Sequence, residues 1–166
     1  MSDIAVMDVN PAGGVKSESP LAASKVRVAT AANAAVAGVV VREEAFLGHL
    51  VLRGNSAAEG FAAGVERALG VPLPLKPCQL VVDAARGVSI QWSSPNEWLI
   101  IVPGGQEYAT ELYLREALSG HIAVVNISGA QTLITLSGPH AREVLMKSSP
   151  YDVDPAHFPV GKAVGT

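Results

Sequence analysis

Two tryptophans, Trp92 and Trp98, stand on either side of a turn, Ser93-Ser94-Pro95-Asn96-Glu97. The second of them opens an apolar run, Trp98-Leu99-Ile100-Ile101-Val102. Proline presets φ and asparagine tolerates the unusual φ that follows, so Pro95-Asn96 is a turn signal. The segment reads strand, turn, buried strand, and Pro103-Gly104-Gly105 breaks the second strand. No catalytic residue type sits here in a recognisable arrangement. The segment constrains the fold rather than the chemistry.

At 166 residues the chain suits one domain, or one domain with a ragged end. Its residues are 49% hydrophobic but only 5% aromatic and 16% charged, so a core must be built from Ala, Val, Leu and Ile. A mean hydropathy of +0.31 leaves apolar surface to cover, which points to a subunit of a larger assembly. An alanine-rich bacterial proteome accounts for the same figures equally well.

A net charge of −3 and twelve scattered Lys and Arg, with no basic stripe to neutralise phosphates, argue against a nucleic-acid partner. The single cysteine, Cys78, excludes an internal disulfide and a multi-cysteine zinc site, and is compatible with a cytoplasmic chain. The longest apolar runs fall far short of the ~20 residues of a membrane helix, so no membrane partner is expected. Asp3 and Asp8, with no basic region before them, do not read as a signal peptide.

Residues 1–30 are rich in Ser, Ala, Gly and Pro and read as a flexible N-terminal arm. Residues 31–166 read as a single α+β domain. Val39–Val41 is a short apolar run, and Ala45–Arg53 a strand ended by Gly54-Asn55. Ser56-Ala57-Ala58-Glu59 has the form of a capping box. Phe61, Val65 and Leu69 follow on one helical face, stopped by Gly70 and Pro72. After a proline-paced connector, Leu80–Ala84 reads as a loop or edge strand, and Val88–Trp92 pairs with Trp98–Val102. Tyr108–Leu118 is a helix by propensity, with Glu111 and Arg115 at i,i+4.

His121–Ser128 and Ala130–Leu136 are two further strands. Gly138-Pro139 opens a short helix whose buried face is Ala141, Val144 and Leu145. A polar loop, Tyr151–Pro159, follows, and Lys162 onward looks like the entry to another strand. This order, helices alternating with antiparallel strand pairs, describes an α+β fold with split βαβ units and an antiparallel sheet. The open ending leads to the expectation that the domain is truncated at its C-terminus.

The search for reactive groups yields no catalytic, cofactor-binding or metal-binding residue. His49, His121, His140 and His157 show no metal-ligand spacing to one another or to the cysteine. Cys78 has Lys76 two residues away, and a neighbouring ammonium can activate a thiol, but no base is identifiable and Cys78 is read as structural or incidental. Asp152 and Asp154 lie near His157. Their chemistry would suit a metal or acid-base site, yet aspartates in such loops more often bond to the backbone. Glu97 is read as fixing the tryptophan turn by accepting backbone amides. Gly104-Gly105 before a helix is a weak phosphate-loop signal, with neither GxGxxG nor GxxxxGK[ST] to support it. Gly138 is better read as part of a helix cap.

Several blocks carry a specific resemblance: LVLRG at Leu50–Gly54, the Leu69–Pro74 connector, SPNEWLIIVP at Ser94–Pro103, VVNISGAQTLITLSGPHAREVLMK at Val124–Lys147, and YDVDPAHFPVGKA at Tyr151–Ala163. The chain resembles, from about Leu47 onward, the gamma subunit of heterotetrameric sarcosine oxidase. The family's turn usually reads Gly-Pro-Asp-Glu-Trp-Leu; Ser94 and Asn96 replace the glycine and aspartate, and both suit a turn. Family chains run on beyond the position of Gly161-Lys162. The resemblance also implies a reduced form of the folate-binding aminomethyltransferase-like fold, carried by Val124–Leu145.

By this resemblance the chain is a non-catalytic structural subunit. The complex oxidises sarcosine to glycine, reduces oxygen to hydrogen peroxide and, with tetrahydrofolate, yields methylenetetrahydrofolate. Its partners are the alpha, beta and delta subunits. FAD and FMN sit with beta, NAD and folate with alpha, and zinc with delta, so this chain binds none of them. No family catalytic residue maps onto it. The runner-up is a stand-alone folate-binding or aminomethyltransferase-like protein. That requires a buried carboxylate, for which Asp83, Asp152 and Asp154 are the aspartates outside the arm. A scaffold in another amine-oxidising complex is a third reading.

Overall fold

The computed structural model describes residues 19–21 and 38–165. The expected arm lies outside the described residues except for Ser19–Leu21, where the Ser19 hydroxyl donates to Glu43 at 2.8 Å. The elements are β1 (Val40–Glu44), β2 (Gly48–Arg53), α1 (Phe61–Leu69), β3 (Leu80–Asp83), β4 (Val88–Ser94), β5 (Glu97–Val102), α2 (Glu107–Ala117), β6 (Ala123–Asn126), β7 (Leu133–Ser137) and α3 (Ala141–Ser148). A short 3-10 turn, Ser128–Ala130, links β6 to β7.

Five strands form an antiparallel sheet in the order β3-β4-β5-β2-β6, and β1 pairs antiparallel with β7 in a second, two-stranded sheet. The α+β class and the antiparallel sheet are as read from the sequence. β5 sits beside β2, although α1 and the β3–β4 hairpin separate them in the chain. Successive strand residues point to opposite faces. Accordingly β5 buries Trp98, Ile100 and Val102 and leaves Leu99 and Ile101 half-buried. The buried set joins Leu50 and Leu52 of β2, Ile90 of β4, Val124 of β6, Phe61, Val65 and Leu69 of α1, and Leu114 of α2 in one core. Both longer helices therefore cover one face of the five-stranded sheet.

Three arginines fasten this layer by donating to backbone carbonyls at helix ends or strands, and a fourth, on α3, holds the loop that follows it. Arg86 reaches Leu69 at the end of α1, Arg67 reaches Ala117 at the end of α2, Arg115 ties α2 to Val124, and Arg142 holds Val153. At Gly70, φ is +67°, and a side chain there would run into the Arg86 guanidinium.

Several expectations need correction. Ser56-Ala57-Ala58-Glu59 is not a capping box: α1 starts at Phe61 with Gly60 at its N-cap in left-handed backbone, and no side chain caps it. Asn55 wins locally, because its side-chain oxygen accepts the Ala57 amide at 3.0 Å and turns the chain earlier. β6 and β7 are not paired with each other. Ser128 receives the His49 amide at 2.9 Å and donates to Asn126 at 2.6 Å, and from that 3-10 turn β7 leaves for β1. In α3, Ala141 and Leu145 are half-buried and Val144 is exposed, so the expected buried face lacks a covering layer. That helix begins at Ala141 behind the Gly138-Pro139 turn, two residues later than Pro139. Leu80–Asp83 resolves as the edge strand of the two options.

Candidate functional site

The tryptophan turn divides its aromatics between two roles. Trp98 is fully buried, its indole Nε1 donates to the Pro74 carbonyl at 2.8 Å, and its ring lies 5.6 Å from that of Phe61. Trp92, directly opposite in the ladder, is only partly buried against the core. A register shift between Trp92 and Ser94 accommodates the turn. The turn itself is held by the Ser94 hydroxyl on Asn96 at 3.0 Å and by the Gly54 amide on the Asn96 carbonyl at 3.1 Å. Glu97 was expected to accept backbone amides here. Instead it faces Arg53 across the β2–β5 ladder and binds its guanidinium at 2.6 Å. Its place opposite Arg53 in the ladder supplies a charged partner there.

The acidic loop also spends its carboxylates on structure. Asp152 accepts the Asp154 amide at 3.0 Å and binds the His157 ring at 2.5 Å, while Asp154 accepts the Ala156 amide at 2.9 Å. The Asp154 amide, with His157 beside it, holds the Asp152 carboxyl below its ordinary value of 3.8. Lys162 donates to the His157 carbonyl at 2.7 Å and its ammonium lies 5.5 Å from the centre of the Tyr151 ring. The pair is exposed, and its partners are the loop's own groups.

The other candidates are dispersed. His49 is buried on β2 with Nδ1 3.1 Å from the Leu47 carbonyl. His140 binds Glu143 at 2.9 Å on α3 and lowers that carboxyl's pKa, and His121 is exposed in the α2–β6 connection. No three His, Cys, Asp or Glu among the described residues converge to hold a metal ion. Cys78 has left-handed backbone with φ +61°, and its carbonyl accepts the Ala163 amide at 2.8 Å. It lines a cleft of about 400 Å³ with Trp92 and Tyr151.

A larger cleft, about 800 Å³, lies at the start of α2, with the Gly104-Gly105 loop in its wall. Phe46, Gly104, Gly105, Glu107, Ser128 and Gln131 line it. Gly104 is here because a Cβ would lie 2.0 Å from the Phe46 carbonyl oxygen, not because it cradles a phosphate. The Glu107 Oε2 atom is buried and has no hydrogen-bond partner. Gly104-Gly105 before a helix is the trace of this site that the sequence carries, and it does not single out Glu107. The exposure and φ of Phe46 left none.

The five-stranded antiparallel sheet, covered by helices on one face, defines an α+β domain. A chain of the glycine cleavage system aminomethyltransferase T from Bartonella henselae superposes with a TM-score of 0.50 at 15% identity, over 68% of this chain and 32% of that one. A model of the sarcosine oxidase gamma subunit family matches residues 53–166, and the chain belongs to that family. It is 37% identical to the sarcosine oxidase subunit gamma of an Arthrobacter species over 139 residues, 83% of this chain and 66% of that protein. The corresponding protein of Corynebacterium strain P-1 is 37% identical over 81% of this chain and 66% of the relative. The chain thus spans about two thirds of the length of these relatives. Among solved structures, heterotetrameric sarcosine oxidase from Corynebacterium sp. U-96, in complex with pyrrole 2-carboxylate, has a chain that matches with a TM-score of 0.71 at 29% identity. That match covers 89% of this chain and 74% of the other.

Proposed function

We propose that this chain is the non-catalytic, structural gamma subunit of a heterotetrameric sarcosine oxidase, an oxidoreductase complex that oxidises sarcosine to glycine, reduces oxygen to hydrogen peroxide and passes the released one-carbon unit to tetrahydrofolate as methylenetetrahydrofolate. The observation that carries the reading is the match, over 89% of the chain, to a chain of that solved heterotetramer. Residues 31–166 act as one domain, and the chain holds no catalytic, cofactor or metal residue of its own. FAD, FMN, NAD and zinc belong to the alpha, beta and delta partners, and the complex works in the cytoplasm. Among the described residues no helix is long and apolar enough to cross a membrane. The engagement of Asp83 by Arg86 and of Asp152 by His157 supports a structural role, since neither carboxylate is free for folate chemistry.

Affinity purification of the tagged chain from its own cells tests the reading. The expected result is a yellow, flavin-bearing complex with three other chains that releases hydrogen peroxide from sarcosine. Recovery of the chain alone would refute it. The fold shared with an aminomethyltransferase keeps one rival, a folate-binding protein acting alone. Saturable micromolar binding of tetrahydrofolate to the purified chain, by calorimetric titration, would favour that rival.

A further inference from the structure

We infer that the cleft at the start of α2 receives a basic side chain, lysine or arginine, from another subunit, ion-paired with Glu107 and packed on Phe46. The inference rests on the subunit reading above.

Two independent observations meet in this cleft. The first is electrostatic. Glu107 Oε2 is shut away from water without a hydrogen-bond partner, and among the described residues no Lys, Arg or His lines the cleft. A buried carboxyl oxygen so placed is left without the donor or counter-charge that would offset its lost hydration. Its position is enforced from below: a Cβ on Gly48 would lie 3.0 Å from the Glu107 Cβ and 3.2 Å from Oε2, so only glycine lets the carboxylate settle against β2. The positive end of the α2 dipole accounts for an acidic residue in the first turn. It does not account for an oxygen hidden from both solvent and donors.

The second is conformational. Phe46 adopts φ +61°, a left-handed backbone that costs a bulky residue energy, yet the residue is 58% exposed. The β1–β2 turn requires that φ, but glycine or asparagine would supply it at less cost. An exposed phenylalanine kept at such a position, in a chain with 5% aromatics, is placed for contact. At the rim of a cleft holding an unpaired carboxylate, an aromatic face suits the apolar stem and charged head of Lys or Arg.

The test compares the assembled complex carrying Glu107→Gln, Phe46→Gly or the parental gamma chain, reading the dissociation rate of this chain from its partners. Glu107→Gln keeps the volume and removes the charge; release about tenfold faster or more is expected, as when a buried interfacial pair loses one partner. Phe46→Gly relaxes the left-handed backbone, so the fold is retained while the ring is lost, and release about fivefold faster is expected. Parental dissociation rates in both variants would overturn the inference. A parental chain that never enters a complex would overturn the subunit reading and this inference together, and it is recognised without any substitution.

Discussion

Replacing Trp98 by phenylalanine removes the donor to the Pro74 carbonyl and leaves a void beside Phe61. Both effects fall in the core, so a loss of about 2–4 kcal/mol is expected by urea denaturation followed by circular dichroism. A loss below about 1 kcal/mol would mean that the proline connector does not depend on this indole. A second residue-scale effect follows from Asp83. Hydrogen bonds from the Arg86 side chain and then its amide hold this carboxyl below its ordinary value of 3.8. A carboxyl whose folded pKa is depressed adds stability above the unfolded value and loses it as pH falls through the folded one. The melting temperature is therefore expected to decline below about pH 4, and Asp83→Asn to flatten part of that decline in calorimetry. An equally steep decline in the variant would show that the exposed Asp83–Arg86 pair contributes nothing. Such pairs were invisible in the sequence, because Arg86 is three residues from Asp83 but also reaches back to Leu69 across the hairpin.

Elements with a strong internal period were legible: Phe61, Val65 and Leu69 gave α1, and Trp98 to Val102 gave β5. Their boundaries were less so, since they depend on local competition for backbone amides. The capping-box reading of Ser56 and Glu59 failed because Asn55 turns the chain first. Glu59 is exposed and α1 has no side-chain cap, so Glu59→Ala is expected to change stability by less than about 0.5 kcal/mol. A true capping box would lose about 1 kcal/mol, and urea titration separates the two. Between elements the reverse holds. Gly104→Ala would drive a methyl group into the Phe46 carbonyl, forcing the β1–β2 turn away from the β5–α2 connection. A loss of about 1–3 kcal/mol is expected by the same measurement. That contact joins residues 58 positions apart through one oxygen atom, and no sequence period records it. The partnering of β7 with β1 rather than β6 was hidden for a similar reason: it depends on where the Ser128 turn sends the chain.

At the scale of the molecule, composition foretold apolar surface, and the topology shows where some of it lies. The helices cover one face of the five-stranded sheet. On the other face the register aligns Gln91, Leu99, Val51 and Val125 in one row across β4, β5, β2 and β6. Leu99 and Val51 are half-buried and Val125 is 49% exposed. A sheet face of this kind promotes association in water when nothing lies over it. The chain alone is therefore expected to self-associate at micromolar concentrations, with a mass by light scattering that rises with concentration. Val125→Glu tests the cause rather than the fact. Its side chain is half in solvent, so the fold should change by less than about 0.5 kcal/mol. A charge in the middle of the row should nonetheless shift the scattering mass toward the monomer. A parental chain that stays monomeric at all concentrations would show that the row is too small to drive association. A variant that associates as strongly as the parent would move the cause to another surface, where Val144 and Met146 of α3 are exposed.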